Sequence, residues 1–569
     1  MKKRLSLLLA VSLVLGLLAS CAPTTPGASG SSSPAPSGSA EPSNSSTPIG
    51  PKEVTVNLIQ EPPELNSVLT TSTGSGDVLR HIMRGLVALD ATDTPIPAIA
   101  TKWDVSEDKK TYTFHLRDDA KWTNGDPVVA DDFIYAWTML FTADTAANYA
   151  GTWSSMILGA DEHLNSKEPS AEVRKELDDL GYTGLPMGFK ALDDTTLQVS
   201  LTNPYPYFLQ VLSFYNFLPM NQKGVEAIGF DQYAKEVDKL VTNGAYKMTS
   251  WTHEDNIVME KDPTYYDAAN IKIDKITMVM ISDAGAALNA FQAGEIDMLK
   301  VNADNRDILK AQGVEIHTYD DGGSWYFEMN TTLPGLNNSK VRRALTLGVD
   351  AETFVAKVVN NNSTVANSFV PPAIDQGKFT EACGPQITRG DYAGAKALLE
   401  EGLAEEGLTP ATFKPVLIAD DTTAAQKYAA FFKEQFKNNL GVDLDVQVMT
   451  YKNRIARMQS YDFSIVFAGW GPDYNDPMTF LDLFLTGSGN NHTQYSNPEY
   501  DQLVADARKE PDAAKRQDIM IEIEKILAQD APIGYVYNRA TDYVLSDRLT
   551  GYVCTAFTDM SLLEADIVE

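Results

Sequence analysis

Residues 414–448 read KPVLIADDTTAAQKYAAFFKEQFKNNLGVDLDVQV, a helical period enclosed by two strand periods. Residues 414–419 form a short apolar run of strand length. Thr422 is placed to cap a helix. Tyr428, Phe431, Phe432, Phe436 and Leu440 then recur at helical spacing, and Gly441 supplies a stop. From Val442 to Val448 apolar and polar residues alternate strictly, as in a half-buried strand. Strand, helix and strand in this order predict a right-handed βαβ unit with parallel strands. The same order recurs at 276–280, 284–293 and 295–299, with Gly294 as the helix stop. Further helices are predicted at 497–509, with Asn497 as cap and Pro498 at the first helical position, and at 513–529. Residues 111–116 and 196–201 alternate as strands. The aromatic and β-branched stripes of all these elements read as core. The body is therefore α/β, and the sequence holds no internal repeat.

The amino end carries a different signal. An apolar run over residues 5–19 follows the basic start Met1-Lys2-Lys3-Arg4 and ends in small residues before Cys21. Such a run is shorter than the 20 or so apolar residues that span a bilayer, and it reads as a secretory signal over residues 1–20. Leu18-Ala19-Ser20-Cys21 resembles the lipobox of bacterial lipoproteins. That resemblance implies cleavage before Cys21 and lipid on its thiol. Residues 22–51 are almost wholly Ser, Pro, Gly, Thr and Ala, with Glu41 as the sole charge. They have too few apolar groups to offset the entropy of ordering them, so residues 21–52 are expected to act as a flexible tether with an end-to-end distance of roughly 30 Å. The expected location is extracytoplasmic, on the outer face of the cell membrane, with lipid as the only attachment.

The formal charge of −31 becomes −34 once Lys2, Lys3 and Arg4 leave with the signal. A body this acidic repels nucleic acid and anionic lipid. No G-x-S-x-G elbow, H-E-x-x-H pair, C-x-x-C motif or Walker-type loop occurs. His81, His115, His163, His253, His317 and His492 are scattered, without metal-ligand spacing, and read as packed or surface residues. Asp131-Asp132, Asp193-Asp194 and Asp420-Asp421 read as turns and helix starts. No enzyme chemistry, cofactor or metal site is expected.

Several segments, taken in order, resemble the family 5 extracellular solute-binding proteins. They are Ile82-Met83-Arg84-Gly85-Leu86-Val87, Ala100-Thr101-Lys102-Trp103, residues 111–122, Asn124-Gly125-Asp126-Pro127 and Ala130-Asp131-Asp132-Phe133. Asn243-Gly244-Ala245-Tyr246, Asn330, Val341-Arg342-Arg343-Ala344-Leu345 and Gly469-Trp470-Gly471-Pro472-Asp473-Tyr474-Asn475-Asp476-Pro477 follow. The resemblance implies a type II periplasmic-binding-protein-like fold of two lobes around a ligand cleft, with an extra subdomain in the first lobe. The implied first lobe is 53–83 plus 214–330 plus 538–569, its extra subdomain 84–213, and the second lobe 331–537. Cys383 and Cys554 would then lie in different lobes, where a disulfide would oppose hinge motion.

The resemblance also implies a ligand, short peptides, and partners, an ABC permease with its ATPase. The protein is expected to act as a monomer. An extended peptide can add to strand edges, and its charged amino end needs a carboxylate. The matching residue is Asp473. Gly469 and Gly471 would offer backbone at close approach, and Trp470 would wall a side-chain pocket. Thr71 and Thr73 fall in the loop that pairs with the peptide main chain, although some relatives have a carboxylate near Thr71. Tyr149 and Tyr537 fall near cleft tyrosines, and Arg454 or Arg457 would meet a carboxyl end. Other solutes suit the same fold: a nickel chelate, an oligosaccharide, an opine or a peptide pheromone. A surface enzyme or adhesin is a rival of another class.

Overall fold

The 414–448 stretch folds as a parallel strand pair bridged by a helix. In the computed structural model, which describes residues 50–568, the Thr422 hydroxyl accepts the Ala425 amide and starts the helix Thr423–Gln435. A wider π-helical turn, Phe436–Leu440, continues it, and Gly441 ends it at φ 73°. Phe432, Phe436 and Leu440 are fully buried, and the Phe432 ring meets Phe327 edge-on at 4.7 Å. The second strand is shorter than its alternation suggests. Val442 and Leu444 are buried in the connecting segment, and the ladder starts only at Asp445. This strand lies at the sheet edge, which leaves Val448 47% exposed.

In chain order the strands that frame the site are β1 (Glu53–Asn57), β2 (Ala100–Val105), β3 (Thr111–Leu116), β4 (Phe189–Asp193) and β5 (Thr196–Ser200). Then come β6 (Tyr246–Thr252), β7 (Asn256–Lys261), β8 (Lys275–Val279), β9 (Met298–Val301) and β10 (His317–Met329). β11 (Val416–Asp420), β12 (Asp445–Met449), β13 (Ile465–Trp470) and β14 (Ile533–Leu545) complete them. The large sheet runs β12-β11-β13-β10-β14-β9-β1-β8-β7-β6, and the two-residue strand Thr364–Val365 is attached to β14. β2-β3-β5-β4 form a separate antiparallel sheet. β11 is parallel to β12 and β13, and β1 is parallel to β8 and β9. The 276–299 unit is therefore a crossover over β1, with its second strand three residues later than its apolar run suggests.

The long strands β10 and β14 divide the sheet. His317–Asp320 of β10 pairs with Ala540–Tyr543 of β14, beside β9. After a register shift between Asp320 and Gly323, β10 from Gly323 onward pairs with β14 before Ala540, beside β13. Two half-sheets thus share two strands, and this is the mixed α/β, two-lobed architecture. Each half has its own core. One gathers Val54, Ile276 and Met278 with the small sheet, and the other Phe327, Phe432, Phe467 and Tyr537. Cys383 and Cys554 are free thiols, and the Cys383 sulfur accepts from Gln386. No described helix is long and apolar enough to cross a membrane. Cys21, the signal and nearly all of the tether lie outside the described residues.

Candidate functional site

β13 delivers the site. Its residues Ile465–Ala468 are buried between β10 and β11, and Trp325 of β10 stands opposite Gly469. A Cβ at Gly469 would lie 2.6 Å from the Trp325 ring, whereas one at Gly471 would meet nothing within 4 Å. The chain then leaves the ladder, and the turn that follows is fixed residue by residue. Asp473 N–H donates to Thr479 Oγ1 at 2.8 Å, and Asn475 N–H donates to Gln210 Oε1 at 3.0 Å. Tyr474 stacks on Tyr207 at 4.5 Å, and Arg516 grips Asp476 through two bonds of 2.7 and 2.8 Å. A turn held at this many points presents its carboxylate in one direction.

Asp473 is 9% exposed, and its Oδ1 accepts the Tyr149 hydroxyl at 3.1 Å. Among the described residues it makes no ion pair. Burial pushes its carboxyl well above the usual range; the Tyr149 bond opposes this and the Asp482 charge adds to it. Tyr149 is held protonated by burial and by the Asp473 charge, so it remains a donor. Its ring lies parallel to Trp153 at 5.5 Å and 5.8 Å from Trp470. The Trp470 Nε1, Asn490 Oδ1, His492 Nδ1 and Glu328 Oε2 atoms are buried without hydrogen-bond partners. All four residues line one cavity of about 880 Å³ together with Asp473 and Tyr149. Buried polar atoms are normally satisfied. A cluster of orphans around an apolar-walled cavity is a ligand site waiting for polar groups.

The structure brings Thr71, Thr73, Tyr149, Gly469, Trp470, Gly471 and Asp473 to this cavity. Thr71 and Thr73 reach it because Thr70 and Ser72 turn inward, Ser72 capping the helix Thr73–Ile82. Two expected contacts are corrected. Tyr537 lies in the second core, 5.7 Å from Phe354 and stacked on Trp325, because alternate residues of β14 face the helix layer. Arg457 points away from the cavity and donates to Asp462 O and Gln447 Oε1, each at 2.8 Å. Arg454, three residues earlier on the opposite helix face, does reach the cavity wall, but Asp420 holds its Nε at 2.6 Å. His492 was read as an ordinary packed histidine, yet it lies 3.3 Å from Glu328 on the cavity wall. Nothing local marks it, because its partner is on a distant strand. His81 does fit that reading. It is buried between Asp77 O and the Leu562 N–H, and burial lowers its pKa to about 4.

Residues 94–492 match the bacterial extracellular solute-binding proteins, family 5 Middle, which is more than half of the chain. The chain belongs to this family. The family 5 protein is 35% identical over 508 residues to the dipeptide-binding protein DppE of Bacillus subtilis, covering 89% of this chain and 90% of that one. Listeria monocytogenes OppA bound to peptide superposes with a TM-score of 0.83 at 29% identity, over 92% of this chain and 100% of that chain. The Escherichia coli murein tripeptide binding protein MppA gives 0.82 at 26% identity, over 92% and 99% of the two chains. MppA in its unliganded open form gives only 0.56 at the same identity, over 92% and 98%. The two values differ although sequence identity and coverage barely change, so the lobe arrangement described here is not the open one.

Proposed function

We propose that this family 5 protein captures short peptides outside the cell membrane and delivers them to an ABC permease driven by its ATPase. The observation that carries this reading is Asp473: a buried carboxylate on a fixed turn, in a cavity wall, with a phenol as its one hydrogen-bond donor and no cation. A peptide's amino end supplies the missing positive charge. Either charge alone in a closed cleft is strongly disfavoured, so Asp473 selects free amino termini. Thr71, Thr73 and the backbone of Gly471 line the path of the peptide main chain, and Trp470 walls a side-chain pocket. The printed functions of the relatives, dipeptide binding and peptide-bound OppA, agree with this ligand class.

The hinge lies where β10 and β14 change partners, at 320–323 and 539–540, rather than at 330 and 537. The subdomain of 84–213 carries Tyr149 to the cleft, and Cys21 anchors the protein by lipid as a monomer. Calorimetry with di- to hexapeptides and their N-acetylated forms tests the reading. Free peptides are expected to bind and blocked ones not to. Equal binding would remove Asp473 from its role, and absence of binding by all would remove peptides as the ligand.

A further inference from the structure

The cavity extends beyond its aromatic end. Its lining follows one face of the helix Thr73–Ile82 through Thr73, Gly76, Asp77 and Arg80, and continues past the helix end to Arg84. Asp473 sits at the start of that face. The Tyr149 ring that serves it meets Tyr215 edge-on at 6.3 Å, and a Cβ at Gly76 would lie 3.0 Å from Tyr215.

Arg80 and Arg84 differ from the other buried arginines. Arg454, Arg508, Arg516 and Arg539 each meet a carboxylate, and Arg342 is bound by backbone carbonyls. Among the described residues neither Arg80 nor Arg84 forms an ion pair. The Arg80 Nε is buried without a partner, and its Nη1 reaches only Thr558 Oγ1, at 3.4 Å. Arg84 Nε donates to the Tyr265 hydroxyl at 3.1 Å. The nearby acids do not neutralise them. Asp559 is engaged by Lys300 at 2.7 Å and by the Tyr319 hydroxyl at 2.6 Å. Burial and the Asp559 charge hold the Asp77 carboxyl well above the usual range. Arg117 is tied to Asp119 and lies flat over Tyr266 at 3.3 Å. Guanidinium groups taken out of water without a counter-charge are costly unless an anion arrives, and planar carboxylates fit them best.

We propose that Arg80 and Arg84 form a carboxylate subsite that takes the carboxyl end of a peptide whose amino end is held at Asp473. This rests on the peptide reading above. The helix rises about 1.5 Å per residue, so Thr73 to Arg84 spans about 16 Å. An extended peptide advances about 3.3 Å per residue, which gives about five residues between the two charged ends. The subsite therefore also acts as a ruler for ligand length.

Titration of the protein with pentaalanine as free acid and as carboxyl-terminal amide tests this. The amide is expected to bind about 10- to 100-fold more weakly. Arg84→Met and Arg80→Met are expected to weaken the acid and leave the amide nearly unchanged, with thermal melts checking that each variant folds. An amide with Glu as its last residue separates the two sources of carboxylate, since recovered affinity means that a side chain serves. Equal binding of acid and amide by the unaltered protein, or an acid–amide difference that persists in both variants, would overturn the subsite while leaving Asp473 and the peptide reading intact. Failure of every peptide to bind would remove both.

Discussion

At Asp473, burial and hydrogen bonding pull the carboxyl in opposite directions, and burial wins. The closed, empty site therefore favours the neutral acid, whereas a bound ammonium favours the carboxylate. Peptide binding should release a proton, and affinity should fall as pH falls. Asp473→Asn should weaken free-amino peptides about 100-fold or more, leave blocked peptides unchanged, and abolish the proton release seen by calorimetry in buffers of different ionisation enthalpy. Glu524 is a second buried carboxyl, remote in role. It accepts the Phe369 amide, and burial raises its pKa from 4.5 to about 7. The folded state thus holds this proton to higher pH than the unfolded chain does. The stabilisation is complete below pH 4.5 and is lost as pH rises through 7, by about 3 kcal/mol. Glu524→Gln should keep the Phe369 bond and flatten this slope in denaturant titrations; an unchanged slope would clear Glu524 of the effect. Asp473 was legible in the sequence because its motif is local. Arg84 was quoted there too, but only as part of a motif. Its missing counter-charge is a property of space.

Among the elements, β13 and its turn show why a motif can be right for two reasons at once. Gly469 and Gly471 were both read as open backbone. Gly471 does face open space, but Gly469 makes room for Trp325 on the neighbouring strand. Gly469→Ala should lower stability by about 1–3 kcal/mol through overpacking. Gly471→Ala should leave the melting temperature unchanged and alter only peptide affinity. Equal melting temperatures for the two variants would contradict this division. The helix at 423–435 was legible because its cap, stripe and stop are all within one stretch. The strand after it was misjudged by three residues, since burial at Val442 and Leu444 comes from packing of a connecting segment rather than from a ladder.

For the whole molecule, two strands shared by two half-sheets make a hinge, and the cavity closes only when the halves meet across it. The superposition values separate this arrangement from the open form of a relative. Peptide should therefore shift an open population to the closed one, read as a smaller radius of gyration in X-ray scattering. No change on saturation with a bound peptide would count against hinge closure. The sequence by itself determined what depends on neighbours along the chain: the α/β periods, the helix caps, the secretory start and the motif that holds Asp473. Only the tertiary structure decided that Tyr537 and Arg457 turn away from the cavity, that His492 meets Glu328, and that Arg80 and Arg84 stand without an acid. Pattern fixes the period of a strand or helix. Which face meets a cavity, and which charge is left uncompensated there, depends on residues brought together from distant parts of the chain.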